Sequence, residues 1–317
     1  MFTIDELERA AETVHRVLPE TPQIRWPLLE QRVKAQVWVK HENHTPIGTF
    51  KLRGALFYIA ELRRKAPEVK GVIAATRGNF GQSVAFAAVN AGLRTVIVVP
   101  RNNSKEKNAA MRALGAELIE FGNDFQDALE YAERLAREGQ LHFVDSFNLV
   151  LVQGVASYAL ELFRSVPDLD FVYVPIGLGS GICGTVAARN ALGLKSKIIG
   201  VVASAVPAYA LSFQARKPVS TAAANTIADG MACRTPNPAA VAIICQNVDR
   251  IVTVPDSEII EAMKLYFSAT HNVAEGAAAA PLAALLQEQQ AAVSKRVALI
   301  HSGSNVDSDL FASVLSS

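Results

Sequence analysis

Gly71-Val72-Ile73-Ala74-Ala75-Thr76-Arg77-Gly78-Asn79-Phe80-Gly81-Gln82 passes from a short β-branched run, through a glycine-bearing turn, into an apolar helical stretch. Gly71–Thr76 reads as a strand and Phe80 to Ala91 as the helix that follows it. The same unit then recurs along the chain. Thr95–Pro100 is the next strand, Lys105–Leu114 its helix, Glu117–Phe121 a third strand and Asp124–Arg137 a long amphipathic helix. Beyond these come His142–Asp145, a helix over Val155–Arg164, Phe171–Ile176 with a helix behind it, Lys197–Ala203, Arg250–Val254 and Arg296–His301. Strands that alternate with helices form parallel sheets covered on both faces. The expected class is α/β.

Length and composition narrow the function. At 317 residues the chain buries a large core and is expected to form two lobes. The formal charge is +1, which disfavours nucleic-acid binding or an acidic tail. Cys183, Cys233 and Cys245 are widely spaced and read as small hydrophobes in a reduced, cytoplasmic protein. Asp5, Glu6 and Glu8 stand where a signal peptide would be apolar, and no run reaches the ~20 apolar residues of a membrane helix. Ala222–Ala224 and Ala277–Ala280 are locally alanine-rich, without low complexity elsewhere.

Three segments carry chemistry. In Asn43-His44-Thr45-Pro46-Ile47-Gly48-Thr49-Phe50-Lys51-Leu52-Arg53-Gly54-Ala55, Lys51 follows an aromatic and opens an apolar helical run. A lysine held against apolar neighbours loses hydration, which lowers its pKa toward the nucleophilic amine that attacks carbonyl groups. The turn Thr76–Gln82 and the loop Gly177-Leu178-Gly179-Ser180-Gly181-Ile182-Cys183-Gly184 both join a strand to a helix. Glycines there let N–H groups point into a crevice at a helix N-terminus, which suits a carboxylate or phosphate; for Thr76–Gln82 a plain tight strand-to-helix turn is the alternative. From Gly179 the second loop also fits G-x-G-x-x-G, but no acidic residue follows the next strand before Asp229. A dinucleotide needs that residue for its ribose, so a single phosphate group fits better.

With these residues in place, the chain resembles pyridoxal-phosphate enzymes of the tryptophan-synthase-β-like fold (fold type II), in the threonine/serine dehydratase and serine racemase group. The resemblance runs from Thr21-Pro22 to Ser302-Gly303-Ser304-Asn305-Val306-Asp307, with the motifs in the family's order. It implies two open, twisted, mostly parallel sheets with helices on both faces. The lobes would be a large one (1–69 and 146–317) and a small mobile one (70–145), in a homodimer. It makes Lys51 the cofactor-bearing lysine and α-proton base. Phe50 would pack on the cofactor ring, Asn79 would bind its phenolic oxygen, and Ser302 would face its pyridine nitrogen. Gly177, Leu178, Gly179 and Ser180 align with the phosphate loop. Thr76, Gly78 and the adjoining backbone match the clasp for the substrate carboxylate, with Arg77, Asn79 and Phe80 beside them. Glu275 matches a carboxylate next to the cofactor. The implied reaction is elimination of ammonia from a β-hydroxy amino acid, by default L-threonine or L-serine.

Departures from the pattern shape the alternatives. Arg77 stands where racemases carry a serine, which disfavours racemisation because arginine exchanges protons poorly. Its fork either binds a carboxylate or polar group of a larger substrate, such as hydroxyaspartate or a hydroxyectoine-derived amino acid, or points to solvent. An amino-acid racemase and a non-catalytic amino-acid sensor stay open as alternatives. Phe80 replaces a common histidine, and Val201 through Tyr209 lack the carboxylates of the family's divalent-cation site, so no metal is expected. Gly154-Val155-Ala156-Ser157 differs from the family segment with no reading from sequence. His41 and His44 are expected as surface residues at a strand end, and Lys105-Glu106-Lys107 as a solvated helix start. Met263, Tyr266 and Phe267 are expected in core or interface. The chain ends about ten residues past Asp307, so a regulatory domain and feedback control are not expected, and a catabolic role fits better.

Overall fold

The computed structural model describes residues 1–222 and 225–317, so the last two positions of the Ala222–Ala224 run lie outside the described residues. The strands are β1 (Gln23–Arg25), β2 (Gln36–His41), β3 (Gly71–Ala75), β4 (Arg94–Val99), β5 (Glu117–Glu120), β6 (His142–Phe143), β7 (Phe171–Pro175), β8 (Lys197–Ala203), β9 (Arg250–Val254) and β10 (Arg296–His301). They form two sheets, one ordered β1-β2-β10-β7-β8-β9 and the other β5-β4-β3-β6. Among the described strand pairs only β1–β2 is antiparallel and the rest are parallel; an isolated antiparallel bridge joins Thr49 to Gly303. The smaller sheet is contiguous in sequence, and its strands are interposed between β2 and β7.

Period-two alternation distributes the smaller sheet's side chains between two apolar layers. Val72 and Ala74 join Ile97 and Val99 against the helices Lys51–Lys65 and Asn79–Asn90. Ile73 and Ala75 join Val96 and Val98 against Ala128, Ala132 and Ala136, spaced four apart on the helix Phe125–Glu138. All five residues of β3 are buried, as covering on both faces requires. Ala277–Ala280 are buried in the helix Gly276–Gln287, and Met263 and Tyr266 are buried in the large core.

Two local expectations shift. The helix expected over Val155–Arg164 begins at Leu149, because the Asn148 side chain accepts from the Leu151 N–H at 2.9 Å and caps the earlier start. Gly154-Val155-Ala156-Ser157 has a packing role within that helix. A Cβ on Gly154 would lie 2.7 Å from both the Arg53 carbonyl oxygen and Phe57 Cβ, so the glycine permits close approach to the helix Lys51–Lys65. Ser157 Oγ meanwhile accepts from the Arg53 guanidinium at 3.0 Å.

That guanidinium is the centre of a buried ion cluster. Arg53 Nε donates to Glu42 at 2.6 Å, while its terminal nitrogens reach Glu42, Glu161 and Thr21. Lys40 Nζ also binds Glu161 and the Thr21 carbonyl. Burial alone would raise the Glu161 pKa, but the Arg53 and Lys40 charges outweigh it and hold the carboxyl at about 2. A carboxyl with a depressed folded-state pKa stabilises fully above its unfolded value, and that stabilisation is lost as pH falls through about 2. Glu161→Ala, which strands two buried cations, is expected to cost about 3–5 kcal/mol in urea denaturation at neutral pH. The wild type should lose part of that advantage between roughly pH 4.5 and 2. Equal stability of variant and wild type at pH 7 would contradict the assignment.

Candidate active site

A cleft of about 770 Å³ opens where the segments following β2, β3, β7 and β10 meet. Parallel sheets place such crevices at their carboxyl ends. The pairing of β10 with β2 sets His301 opposite His41, and this register brings the next residues of each segment together. The Phe50 N–H donates to the Ser302 carbonyl at 3.1 Å, and the Thr49 hydroxyl donates to the same oxygen at 3.2 Å. Lys51 is thereby fixed as the first residue of its helix, 251 positions from Ser302 in sequence but on the same cleft wall.

Burial lowers the Lys51 pKa; Glu275 and Asp229 partly oppose that effect, and Lys107 adds to it. The Phe50 ring meets Tyr158 edge-on at 6.0 Å, and a Cβ on Gly181 would lie 3.4 Å from it. Across the cleft, the loop after β7 is held to its neighbours by backbone. A Cβ on Gly177 would sit 2.2 Å from the Gly230 carbonyl oxygen, and Gly179 has φ +102°. The Leu178 carbonyl accepts from the Tyr209 hydroxyl at 2.7 Å. Ser180 starts the helix Ser180–Ala191, whose first-turn N–H groups lack partners within the helix and favour an anion.

The loop after β3 is organised by Thr76, whose hydroxyl accepts from the Gly78 and Gly81 N–H groups at 3.0 and 3.1 Å. Its side chain therefore braces the turn. Gly78 N-terminally flanks the helix Asn79–Asn90, which leaves the first N–H groups of that helix toward the cleft end. Asn79 donates to both carboxylate oxygens of Glu275 at 2.9 Å and accepts from Asn305 at 2.8 Å. Burial raises the Glu275 pKa, and Lys107, Asn79 and Lys51 oppose it incompletely. Gly303 makes room for this carboxylate, since a Cβ there would lie 2.9 Å from Glu275 Oε1. Phe80 is buried in the same apolar cluster as Val84 and Met111 and lines the cleft. Arg77 is half exposed, with Nε 3.5 Å from Asp229 Oδ1.

Two sequence expectations are corrected here. His41 is fully buried, not on the surface; it stacks on His44 and on His301 with centroids 5.0 and 5.6 Å apart, and accepts from Trp26 Nε1. Desolvation holds His41 near about 4 and His301 near about 3, so both are neutral aromatic rings of the core. Lys105 and Glu106 are exposed as expected, but the Lys107 side chain is only 15 % exposed and turns to Asp229 at 3.5 Å. Lys107, Asp229, Tyr209 and Asn305 were not among the sequence-derived site residues. They lie on distant segments with no shared periodicity, and only the Ser302–Asp307 motif hinted at Asn305.

The family model described as "Pyridoxal-phosphate dependent enzyme" matches residues 15–303. The chain belongs to this family. An L-threonine ammonia-lyase of Thermotoga maritima is 32% identical over 99% of this chain and 78% of its own length. An L-threo-3-hydroxyaspartate ammonia-lyase of Saccharomyces cerevisiae is 30% identical over 99% of this chain and 96% of that one. The processed threonine deaminase isoform 2 of Solanum lycopersicum superposes with a TM-score of 0.92 at 26% identity, covering 99% and 94% of the two chains.

The enzyme depends on pyridoxal phosphate, and the residues present fit it. The Ser302 hydroxyl is buried in the cleft wall without a hydrogen-bond partner, as a group reserved for a ligand would be. The loop after β7 offers a cradle with no room for side chains at Gly177. Gly177→Ala is expected to weaken cofactor binding at least tenfold in an absorbance titration, with circular dichroism unchanged, because the Gly230 backbone cannot move aside as a side chain can. Wild-type affinity in this variant would remove the loop from the cofactor site.

Proposed function

We propose that this chain is a pyridoxal-phosphate-dependent ammonia-lyase that converts a β-hydroxy amino acid, by default L-threonine or L-serine, into a 2-oxo acid and ammonia. The observation that carries the reading is one cleft shared by a desolvated lysine, Lys51, and an unpartnered hydroxyl, Ser302. The names of the relatives, an L-threonine ammonia-lyase and an L-threo-3-hydroxyaspartate ammonia-lyase, support the same reaction class.

Each residue has a role in this reading. Lys51 would carry the cofactor, with Phe50 against its ring, Asn79 at its phenolic oxygen and Ser302 at its pyridine nitrogen. Gly177, Leu178, Gly179 and Ser180 would hold its phosphate, and Glu275 would lie beside it. Bound there, the cofactor withdraws electrons from the substrate α-carbon. A hydroxyl at the pyridine nitrogen, unlike a carboxylate, does not enforce protonation, which favours fast β-elimination over transamination. Lys51 Nζ takes the α-proton, for which a lowered pKa is required. Thr76, Arg77, Gly78, Asn79 and Phe80 form the substrate side, where the backbone of residues 76–79 orients the α-carboxylate.

Residues 70–145 are assigned to a small mobile lobe and 1–69 with 146–317 to a large one; the contiguity of β3–β6 supports this division. Closure of the small lobe would exclude water from the reaction. A homodimer in the cytoplasm completes the reading; three free cysteines agree with a reducing compartment. No helix among the described residues is long and apolar enough to cross a membrane.

The test is formation of 2-oxobutyrate from L-threonine and pyruvate from L-serine by the purified holoenzyme. Lys51→Ala should lose at least 10³-fold in kcat, the scale of a general base that also anchors the cofactor. Retention of the cofactor with no oxo acid from any β-hydroxy amino acid would exclude the lyase.

A further inference from the structure

The mouth of the cleft holds two cations that share one carboxylate. Arg77 Nε lies 3.5 Å from Asp229 Oδ1, and Lys107 Nζ lies 3.5 Å from Asp229 Oδ2. These are the two longest ion pairs among the described residues; surface pairs such as Arg94–Glu117 close to 2.8 Å. Neither cation has another acceptor in the described structure. Lys107, part-buried at the cleft wall, has three donors and one protein acceptor, which leaves two donors for what enters the cleft.

The lysine is nonetheless firmly placed. Its stem crosses Gly78, where a Cβ would lie 2.8 Å from Lys107 Cδ, so the glycine leaves it a path to the cleft. Its N–H is capped by Ser104 Oγ at 3.1 Å, and that hydroxyl donates to Asp307. Lys107 also acts electrostatically on Lys51 and Glu275, so it faces the reaction centre. Arg77 follows Thr76 in the loop assigned to the α-carboxylate, one residue from Gly78.

The charges of this trio sum to +1, and one further carboxylate would bring it to neutrality. We propose that Arg77 and Lys107, placed by Asp229 between them, read a second carboxylate on the substrate, so that the enzyme prefers β-hydroxy amino acids bearing a carboxylate on Cβ over L-threonine and L-serine. The inference rests on the ammonia-lyase reading of the same cleft. A planar guanidinium fork and a point-charge ammonium are complementary donors for the two oxygens of that carboxylate. The methyl group of threonine would instead offer no acceptor to either cation. The chemistry is unchanged: the α-proton leaves to Lys51 and the β-hydroxyl leaves as water with one added proton. The enamine then tautomerises to the imine, adds a water and expels ammonia. For 3-hydroxyaspartate the sum is oxaloacetate plus ammonia, with no oxidant.

The experiment compares kcat/KM of the holoenzyme for threo- and erythro-3-hydroxyaspartate with that for L-threonine. At least one isomer should exceed L-threonine by tenfold or more. Lys107→Met should lower this ratio at least tenfold, and Asp229→Asn, which removes the competing carboxylate, should raise it. An unmoved ratio in both variants, with circular dichroism intact, overturns the proposal. Binding of malonate and propionate, read by thermal shift of the holoenzyme, provides a readout without turnover. Lys107→Met should weaken malonate at least fivefold and leave propionate within twofold. If the wild type turns over no amino acid yet shows this malonate effect, the lyase reading fails and the carboxylate site stands. Equal malonate binding in variant and wild type removes the site itself.

Discussion

The fully buried guanidinium of Arg53, two residues beyond Lys51, holds the rest of the structure in register. It reaches Glu42 just past β2, Ser157 and Glu161 on the helix Leu149–Ser165, and Thr21 ahead of β1. A charge in this position is tolerable only when every donor has an acceptor, since an unmatched buried ion costs several kcal/mol. Meeting that condition requires the strand end, both helices and the N-terminal segment to take one mutual arrangement. The helix carrying Lys51 has no side-chain cap at its start. Its placement comes from this fork and from the Phe50 and Thr49 bonds to the Ser302 carbonyl.

From that fixed point the cleft acquires its electrostatic character. Lys51 and Glu275 are both desolvated, and burial moves each toward its neutral form. Asn79 satisfies Glu275 with two hydrogen bonds while Asn305 occupies its carbonyl, so three segments distant in sequence converge on one amide. Ser302 in the cleft wall has a buried hydroxyl without a partner; the other such atoms among the described residues, on Tyr266, Arg296 and His301, do not line the cleft. Polar groups in a core are rarely left in this state without a ligand to meet them.

Much of this was legible in the chain. The alternation of β-branched runs and helical stretches announced parallel sheets, and the helix Phe125–Glu138 shows its buried alanines at every fourth position. Lys51 and the two glycine turns stood out by residue chemistry, and Ser302 through the family resemblance. Other elements escaped for identifiable reasons. Asn148 starts its helix six residues before the apolar run suggested, because a single capping side chain outweighs periodicity at a terminus. His41 is polar by composition but is buried as a neutral ring in a histidine stack. Lys107 sits in a charged run that looks solvated, yet Gly78 and Asp229 turn it inward.

By itself, then, the sequence determined the α/β class, a lysine set against apolar neighbours and the loops able to receive anions, because these depend on local periodicity, glycine geometry and residue chemistry. Tertiary structure decided which distant groups meet. The β2–β10 register joins Lys51 to Ser302, the Gly230 backbone closes on Gly177, and Asp229 couples to Arg77 and Lys107 across the cleft. Such pairings arise from burial and strand order acting on residues tens to hundreds of positions apart, and no local pattern in the chain encodes them.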